Sequence, residues 1–344
     1  MRNNLSICIA GKNQIAINCL KYLIKNFKNI NIFYLPNKSD SGKDKWQPSF
    51  RKFARSINVK LINEDNLYCK KDLIFISVEY ESILNIRKFK SSRLFNIHFS
   101  LLPKYKGMYT SALPLLYGEK KTGVTFHRIE RGIDTGSIIS QKEFKINQNW
   151  NAHDLYNKYM SYGYQIFKTN INKIIKNKIP LLKQKYYNSS YYPKSHINFK
   201  ELNIDFNKTA YQIQNQFRAY SFRPFQMPRF KGWGIYKVKI LNSISQFKTG
   251  KIVYQNSEYF KISSIDYDIL LFKDYYPKFW RLLKKADLQN LKKISKYIKN
   301  LNEKNHEGNN AHCLAKTNKQ IYCLKAFINF RRNNILKFSN QKIK

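Results

Sequence analysis

Asn96 and His98 stand two residues apart in the run Phe95-Asn96-Ile97-His98. On an extended strand that spacing sends both side chains to one face. An amide and an imidazole side by side suit acyl chemistry. The amide N–H can donate to an oxygen that gains charge. The imidazole can donate to the same oxygen when protonated, or take a proton when neutral. Asp134 is the third candidate, in the stretch Gly132-Ile133-Asp134-Thr135-Gly136. Its flanking glycines permit a tight loop that can carry a carboxylate into a site. A carboxylate beside an imidazole fixes the tautomer and favours the charged ring. Read singly, His98 is a structural histidine and Asp134 a turn former. Spacing alone does not bring them together.

Elements must hold these residues. An apolar run over 5–10, ended by Gly11, reads as a buried strand. Helical spacing follows at Ile15, Cys19, Leu20 and Leu23. Further strands over 30–35, 59–62, 73–78 and 94–98, with a helix over 50–57, predict a mostly parallel, doubly wound α/β sheet. Such sheets bind ligands beyond the carboxyl ends of their strands. That brings forward Gly11-Lys12-Asn13, Ser77-Val78-Glu79 and Asn96 to His98. The pattern Gly11-x-Asn13-x-x-Ala16 lacks the second glycine of a dinucleotide fingerprint, so NAD is not expected. An anion can still meet the helix N-terminus. Residues 122–129 and 137–144 read as two more strands joined through the Asp134 loop. Residues 151–176 read as a helix with Leu155, Tyr159, Tyr162 and Ile166 on one face. A polar, Tyr-rich linker over 180–195 leads to a helix over 209–220, a small β-rich subdomain over 235–272, and helices from 278 onward. The expected division is a catalytic domain over 1–180, a linker and β-rich subdomain over 181–276, and a helical module over 277–344.

Composition narrows the class. The chain is 43% hydrophobic and carries 25 Tyr and 24 Phe, an aromatic load that a disordered chain lacks. The net charge of +42 invites a nucleic-acid partner. The lysines are spread rather than clustered, which speaks against specific nucleic-acid binding; an anionic nucleotide needs only a few of them. Five cysteines without a C-x-x-C pair fit neither a zinc knuckle nor a disulfide framework, and point to a reducing, cytoplasmic compartment. The opening Met1-Arg2-Asn3-Asn4 does not read as a signal peptide. No apolar run approaches the roughly 20 residues of a membrane span, so no membrane partner is expected. No cluster of metal ligands is seen, and no metal is expected.

Taken together, Asn96-x-His98, Ser100-Leu101-Leu102-Pro103, Gly107 and Asp134-Thr135-Gly136 resemble the folate-dependent formyltransferase superfamily over residues 5 to 175. The segments 102–111 (LPKYKGMYTS), 37–44 (NKSDSGKD) and 217–226 (FRAYSFRPFQ) are similar to sugar N-formyltransferases. Near the end, 294–298 (ISKYI) recurs at 324–328 (LKAFI). Between them, 301–315 resembles one ankyrin unit, with a turn at Gly308 and a helix opening at Ala311-His312.

The resemblance implies a Rossmann-like catalytic domain with Asn96, His98 and Asp134 as its triad. It implies N10-formyltetrahydrofolate as cosubstrate, held along Ser77, Val78, Glu79 and Ile133. The acceptor it implies is the amine of a dTDP-linked 3-amino-3,6- or 4-amino-4,6-dideoxyhexose for surface polysaccharide (O-antigen) biosynthesis. Lys12, Asn13, Lys106, Met108 and Tyr109 then belong to the substrate site. A thymine ring wants an aromatic face and an amide, which Tyr220, Phe222 and Gln226 supply. A pyrophosphate wants cations, for which Lys12, Lys104, Lys106 and Arg223 are candidates. Related enzymes pair through the region after the catalytic domain, so a homodimer is expected. The rival within the superfamily is methionyl-tRNA formyltransferase, favoured by the basic charge. It is disfavoured by the lack of a recognisable C-terminal barrel and by KYKGM at 104–108, where an Arg- and Ala-rich sequence is expected. A rival of another class is a non-catalytic protein that binds partners through its ankyrin-like tail; the complete triad stands against it.

Overall fold

The structure is a computed structural model that describes residues 5–185, 187–223 and 225–340, with side chains as far as Asn333. The chain forms two compact units, 1–200 and 201–344.

The first unit opens with β1 (Ser6–Gly11), α1 (Asn13–Asn26) and β2 (Asn31–Pro36), then α2 (Phe50–Ser56) and the short β3 (Lys60–Leu61). Helix α3 (Glu64–Tyr68), β4 (Leu73–Val78) and β5 (Leu94–His98) follow. After β6 (Lys106–Gly107) and α4 (Leu113–Leu116) come β7 (Lys121–Arg128), β8 (Ile138–Lys145), the long α5 (Ala152–Ile175) and β9 (Tyr191–Tyr192). The main sheet has seven strands in the order β3-β2-β1-β4-β5-β7-β8. From β3 to β5 they run parallel; β7 and β8 are antiparallel additions at one edge. The parallel centre is apolar throughout, with every residue of β1 and β4 buried. That is the signature of strands covered on both faces. The strand expected over 59–62 is only two residues long and exposed. At the open edge, burial does not reward longer pairing.

Two local features fix where the site forms. A Cβ on Gly11 would lie 1.9 Å from the Val78 carbonyl oxygen, so only glycine lets β1 leave the sheet this close to the end of β4. The N-terminus of α5 is held by a capping box: the Asn151 side chain accepts from Asp154 N–H, and Asp154 accepts from Asn151 N–H. From there α5 buries Leu155, Tyr159, Ile166 and Ile171 and packs across β7 and α1. The sequence treats 180–195 as a linker. In the structure it contributes β9, paired parallel with β6, and a bridge from Leu182 to Ile138.

The second unit holds α6 (Ala210–Tyr220), capped by Thr209 and Gln212. Strands β10 (Arg229–Phe230), β11 (Trp233–Ile244), β12 (Ile252–Gln255), β13 (Tyr259–Ile262) and β14 (Tyr267–Lys273) then form an antiparallel β half-barrel in the order β10-β11-β14-β13-β12. Its buried face meets α6 through Ile213, Phe217, Ile235, Phe260, Ile262 and Leu271. Helices α7 (Tyr276–Lys284), α8 (Leu288–Lys293), α9 (Ala311–Leu314) and α10 (Asn318–Asn340) complete the unit around Phe279, Leu283, Leu291, Leu314 and Phe327. Among the described residues no helix is long and apolar enough to cross a membrane.

Candidate active site

Alternation along β5 turns Asn96 and His98 to one face and Phe95 and Ile97 to the other. The loop between β7 and β8 returns Asp134 to that same face. Asn96 Nδ2 donates to Asp134 Oδ1 at 3.3 Å, and His98 Nδ1 stands 3.4 Å from Asp134 Oδ2. The other ring nitrogen of His98, Nε2, donates to the Tyr105 carbonyl at 2.8 Å. The Gly107 N–H donates to Asp134 Oδ2 at 2.9 Å. The structure therefore brings all three triad candidates into one cluster. Both its histidine and its aspartate are largely withdrawn from solvent.

Asp134 sits at φ +54°, a left-handed conformation that aspartate tolerates better than most residues. Gly132 is at φ +105°, and a Cβ on Gly136 would lie 1.9 Å from the Arg128 carbonyl oxygen. Glycine is required on both sides of the carboxylate. Gln184 secures the loop from outside: its Nε2 donates to the Asp134 and Gly136 carbonyls at 2.9 and 2.8 Å. Other left-handed non-glycine residues lie at the neighbouring strand ends and loops: Asn13, Glu79, Tyr105 and Tyr109. Each such conformation costs on the order of 1–3 kcal/mol, and such strain clusters at functional sites.

Burial pushes the Asp134 carboxyl up. The charge of His98, the contacts of His127 and the Gly107 N–H outweigh that effect and hold it well below the usual carboxylate range. A depressed native value means stabilisation that is present above the unfolded value, about 3.9, and lost as pH falls through the native one. Asp134→Asn should therefore cost stability at pH 7 and pH 5 and progressively less below about pH 4. Urea melts of both proteins at pH 7, 5 and 3 check this; a difference that does not change with pH would overturn it.

The remaining predicted residues are placed as follows. Ser77 and Val78 close β4, the Val78 side chain wholly buried, so Val78 offers a ligand its backbone. Glu79 accepts from Tyr156 Oη at 2.8 Å, and Tyr156 Oη accepts from Asn13 Nδ2 at 2.6 Å. Ile133 is 43% exposed at the tip of the Asp134 loop. Lys12 pairs with Glu81 at 2.6 Å and Lys106 donates to Ser189 Oγ at 3.0 Å. Met108 is exposed, and Tyr109 donates to the Lys194 carbonyl. An open cavity of about 90 Å³ lies against Lys12, Asn13, Ser39, Lys43 and Trp46. In the second unit, Gln226 Nε2 donates to the Tyr220 carbonyl at 3.4 Å, and the Phe222 ring is buried, with Phe225 beside it 66% exposed. Arg223 is held by Asp274 at 2.7 Å and Glu303 at 2.5 Å, and lies over the Tyr276 ring. Among the described residues no group of His, Cys, Asp and Glu is placed to hold a metal ion.

Known proteins share this fold. The family described as formyl transferase matches residues 53–171. A methionyl-tRNA formyltransferase of Alkaliphilus oremlandii is 30% identical over 268 residues, 72% of this chain and 84% of that protein. The solved structure of WlaRD, a sugar 3N-formyl transferase in the presence of dTDP and 5-N-formyl-THF, is 44% identical with a TM-score of 0.72, covering 78% of this chain and 98% of that one. The chain belongs to the formyltransferase family. A second solved formyltransferase, the N-formyltransferase of Helicobacter canadensis in complex with folinic acid and dTDP-3-aminofucose, is 42% identical with a TM-score of 0.73, covering 78% of this chain and all of that one.

Three residues around the formyltransferase cluster escape the sequence reading. His127 is 2% exposed on β7, and its Nε2 lies 3.2 Å from Asn96 Nδ2 and 3.6 Å from Asp134 Oδ1. Only the antiparallel register of β5 with β7, which pairs Asn96 with His127, reveals it. Tyr156 sits on α5 one position from Leu155, outside the face that the sequence singles out, and bonds Glu79 and Asn13. Gln184 lies in the stretch read as a surface linker.

Proposed function

We propose that the chain transfers a formyl group from N10-formyltetrahydrofolate to the amine of a dTDP-linked 3-amino-3,6-dideoxyhexose, or of its 4-amino-4,6 counterpart, in surface polysaccharide (O-antigen) biosynthesis. One observation carries the reading. The two solved sugar N-formyltransferases match at 44% and 42% identity across nearly their whole length, against 30% for the methionyl-tRNA relative. The 3-amino sugar is preferred because both of those proteins are described with 3-amino chemistry.

The bound folate supplies the formyl carbon as an acyl donor. For it the chain offers the buried end of β4 with its backbone groups, and the exposed Ile133 on the loop that Gln184 fastens. The Asn96 amide donates to the formyl oxygen as it gains charge, and His98 holds a proton beside it. Asp134 orients His98 and balances its charge. Burial of the cluster keeps competing water out and strengthens each of these contacts. For the nucleotide, Tyr220, Phe222 and Gln226 are proposed readers of thymine, and Lys12, Lys106 and Arg223 partners of the pyrophosphate. Asn13, Met108 and Tyr109 are proposed to border the sugar. We further propose that the enzyme works in the cytoplasm as a homodimer. The hairpins α7–α8 and α9–α10, joined by a loop that turns at Gly308, form an ankyrin-like module in this reading.

The deciding assay offers the purified protein N10-formyltetrahydrofolate with dTDP-3-amino and dTDP-4-amino dideoxyhexoses and, in parallel, initiator methionyl-tRNA. Products are read by mass. The expected result is one formyl group added to the 3-amino sugar. Formylation of the tRNA alone would overturn the reading.

A further inference from the structure

The backbone of residues 103–108 has two sides. One faces the strap that carries β9, the other faces the triad. Toward the strap, the Lys106 N–H donates to the Ser190 carbonyl and the Met108 N–H to the Tyr192 carbonyl, both at 2.9 Å. The Tyr105 N–H donates to Ser190 Oγ at 2.8 Å, and Ser190 gives its own N–H to the Pro103 carbonyl at 3.2 Å. Toward the triad, the Tyr105 carbonyl accepts from His98 Nε2 at 2.8 Å, and the Gly107 N–H reaches Asp134 Oδ2 at 2.9 Å. One short segment thus joins the strap to both His98 and Asp134.

Tyr105 is the joint. It sits at φ +57°, a left-handed conformation that a bulky aromatic residue rarely adopts. Such a conformation persists where the surroundings over-determine it. Here the two N–H groups that flank its Cα, its own and that of Lys106, both end on Ser190, one on the hydroxyl and one on the carbonyl. The Lys106 N–H shares a planar peptide unit with the Tyr105 carbonyl. With its N–H held on the strap side, that plane sends its oxygen to the other side, at His98. Of the two contacts on the His98 ring, the one to this oxygen is of ordinary length at 2.8 Å, and the one to Asp134 is long at 3.4 Å. The carbonyl is the tighter handle on the ring. We propose that Ser190 is a positioning residue for formyl transfer: its hydroxyl fixes Tyr105 in the conformation whose carbonyl holds the His98 ring in place. This rests on the formyl-transfer reading of the triad.

Removing the hydroxyl leaves the Tyr105 N–H without its acceptor, in a residue that is almost wholly buried. An unpaired buried donor is costly. Tyr105 relieves that cost by leaving the left-handed region, and its peptide planes turn as it does. The bond from Lys106 does not prevent this, because a hydrogen bond tolerates moderate misalignment. The Tyr105 side chain is anchored separately, by Glu119 at 2.9 Å and by stacking on Tyr192. The segment therefore keeps its place while the carbonyl drifts from His98. Function suffers more than stability.

Two variants and one spectrum test this. Ser190→Ala removes the acceptor. It should lower kcat by about tenfold, short of the ~100-fold that a full ångström of misplacement costs, and leave KM for sugar and folate unchanged. Ser190→Thr keeps the hydroxyl, and the half-exposed position has room for the methyl group, so it should recover most of kcat. In 15N NMR without substrate, the His98 Nε2–H signal, assigned by its loss in His98→Asn, should shift and exchange faster with water in Ser190→Ala and return in Ser190→Thr. Melting temperatures of both variants separate misfolding from misplacement. An Ala variant with wild-type kcat, a His98 signal that ignores the change, or a Thr variant as slow as the Ala variant overturns the proposal. If the wild type formylates none of the sugars offered, that failure belongs to the substrate reading. The His98 signal, which needs no substrate, then decides Ser190 by itself.

Discussion

Asn96→Ala is expected to reduce the turnover of formyl transfer by about 100- to 1000-fold, the usual cost of removing one oxyanion donor from a preorganised site. The loss should fall on kcat rather than KM, because the amide strengthens its contact only as the formyl oxygen gains charge. The surroundings support that attribution. Asn96 is held at one edge by Asp134 Oδ1 and His127 Nε2, so no reorganisation is needed when the charge appears. The change trims a partly buried amide at the end of β5 and leaves the β5–β7 pairing to backbone groups, so melting temperature should move little. Steady-state kinetics on the preferred sugar, beside a melting curve, checks both halves. A kcat within a few-fold of wild type would remove Asn96 from the catalytic set.

Phe126→Ala should have the largest effect on stability, about 3–5 kcal/mol. The ring is wholly buried and meets Phe95 edge-on at 6.1 Å, on the face of β5 and β7 opposite Asn96, His98 and His127. It is the floor on which the site stands. A loss of that size is a large part of the ~5–15 kcal/mol that holds a domain together. Activity at ambient temperature should fall through loss of folded protein, with the KM of the surviving fraction unchanged. Ile133→Ala is the contrast: its side chain is 43% exposed, and its removal should leave the melting temperature nearly unchanged. Urea titration of the three proteins checks the ranking, and equal midpoints for wild type and Phe126→Ala would refute it.

What was legible in the sequence was what short-range pattern carries. The apolar runs of β1, β4 and β5 and the helical spacing of α1 and α5 announce a parallel sheet with its ligands at the strand ends. The Asn96–His98 spacing and the glycines around Asp134 announce two of the parts that meet there. What stayed hidden depends on register and on contacts far apart along the chain. His127 becomes a partner of Asn96 only through antiparallel pairing across β5 and β7, which lies 31 residues along the chain. Gln184 reaches the Asp134 loop from a segment whose composition reads as solvent-facing linker. Arg223 reads as a free cation in sequence and is held by two carboxylates in space.

That strap from Gln184 to Tyr192 has a consequence for how the enzyme comes into being. The main sheet closes with residues no later than Lys145, yet the Asp134 loop is fastened by Gln184 some 50 positions downstream, and Lys106 is paired with Tyr191. A chain emerging from the ribosome can therefore hold a complete sheet before its strap is set. Such a species would have the secondary structure of the finished domain and little catalytic power, so full activity marks the last fastening of this unit.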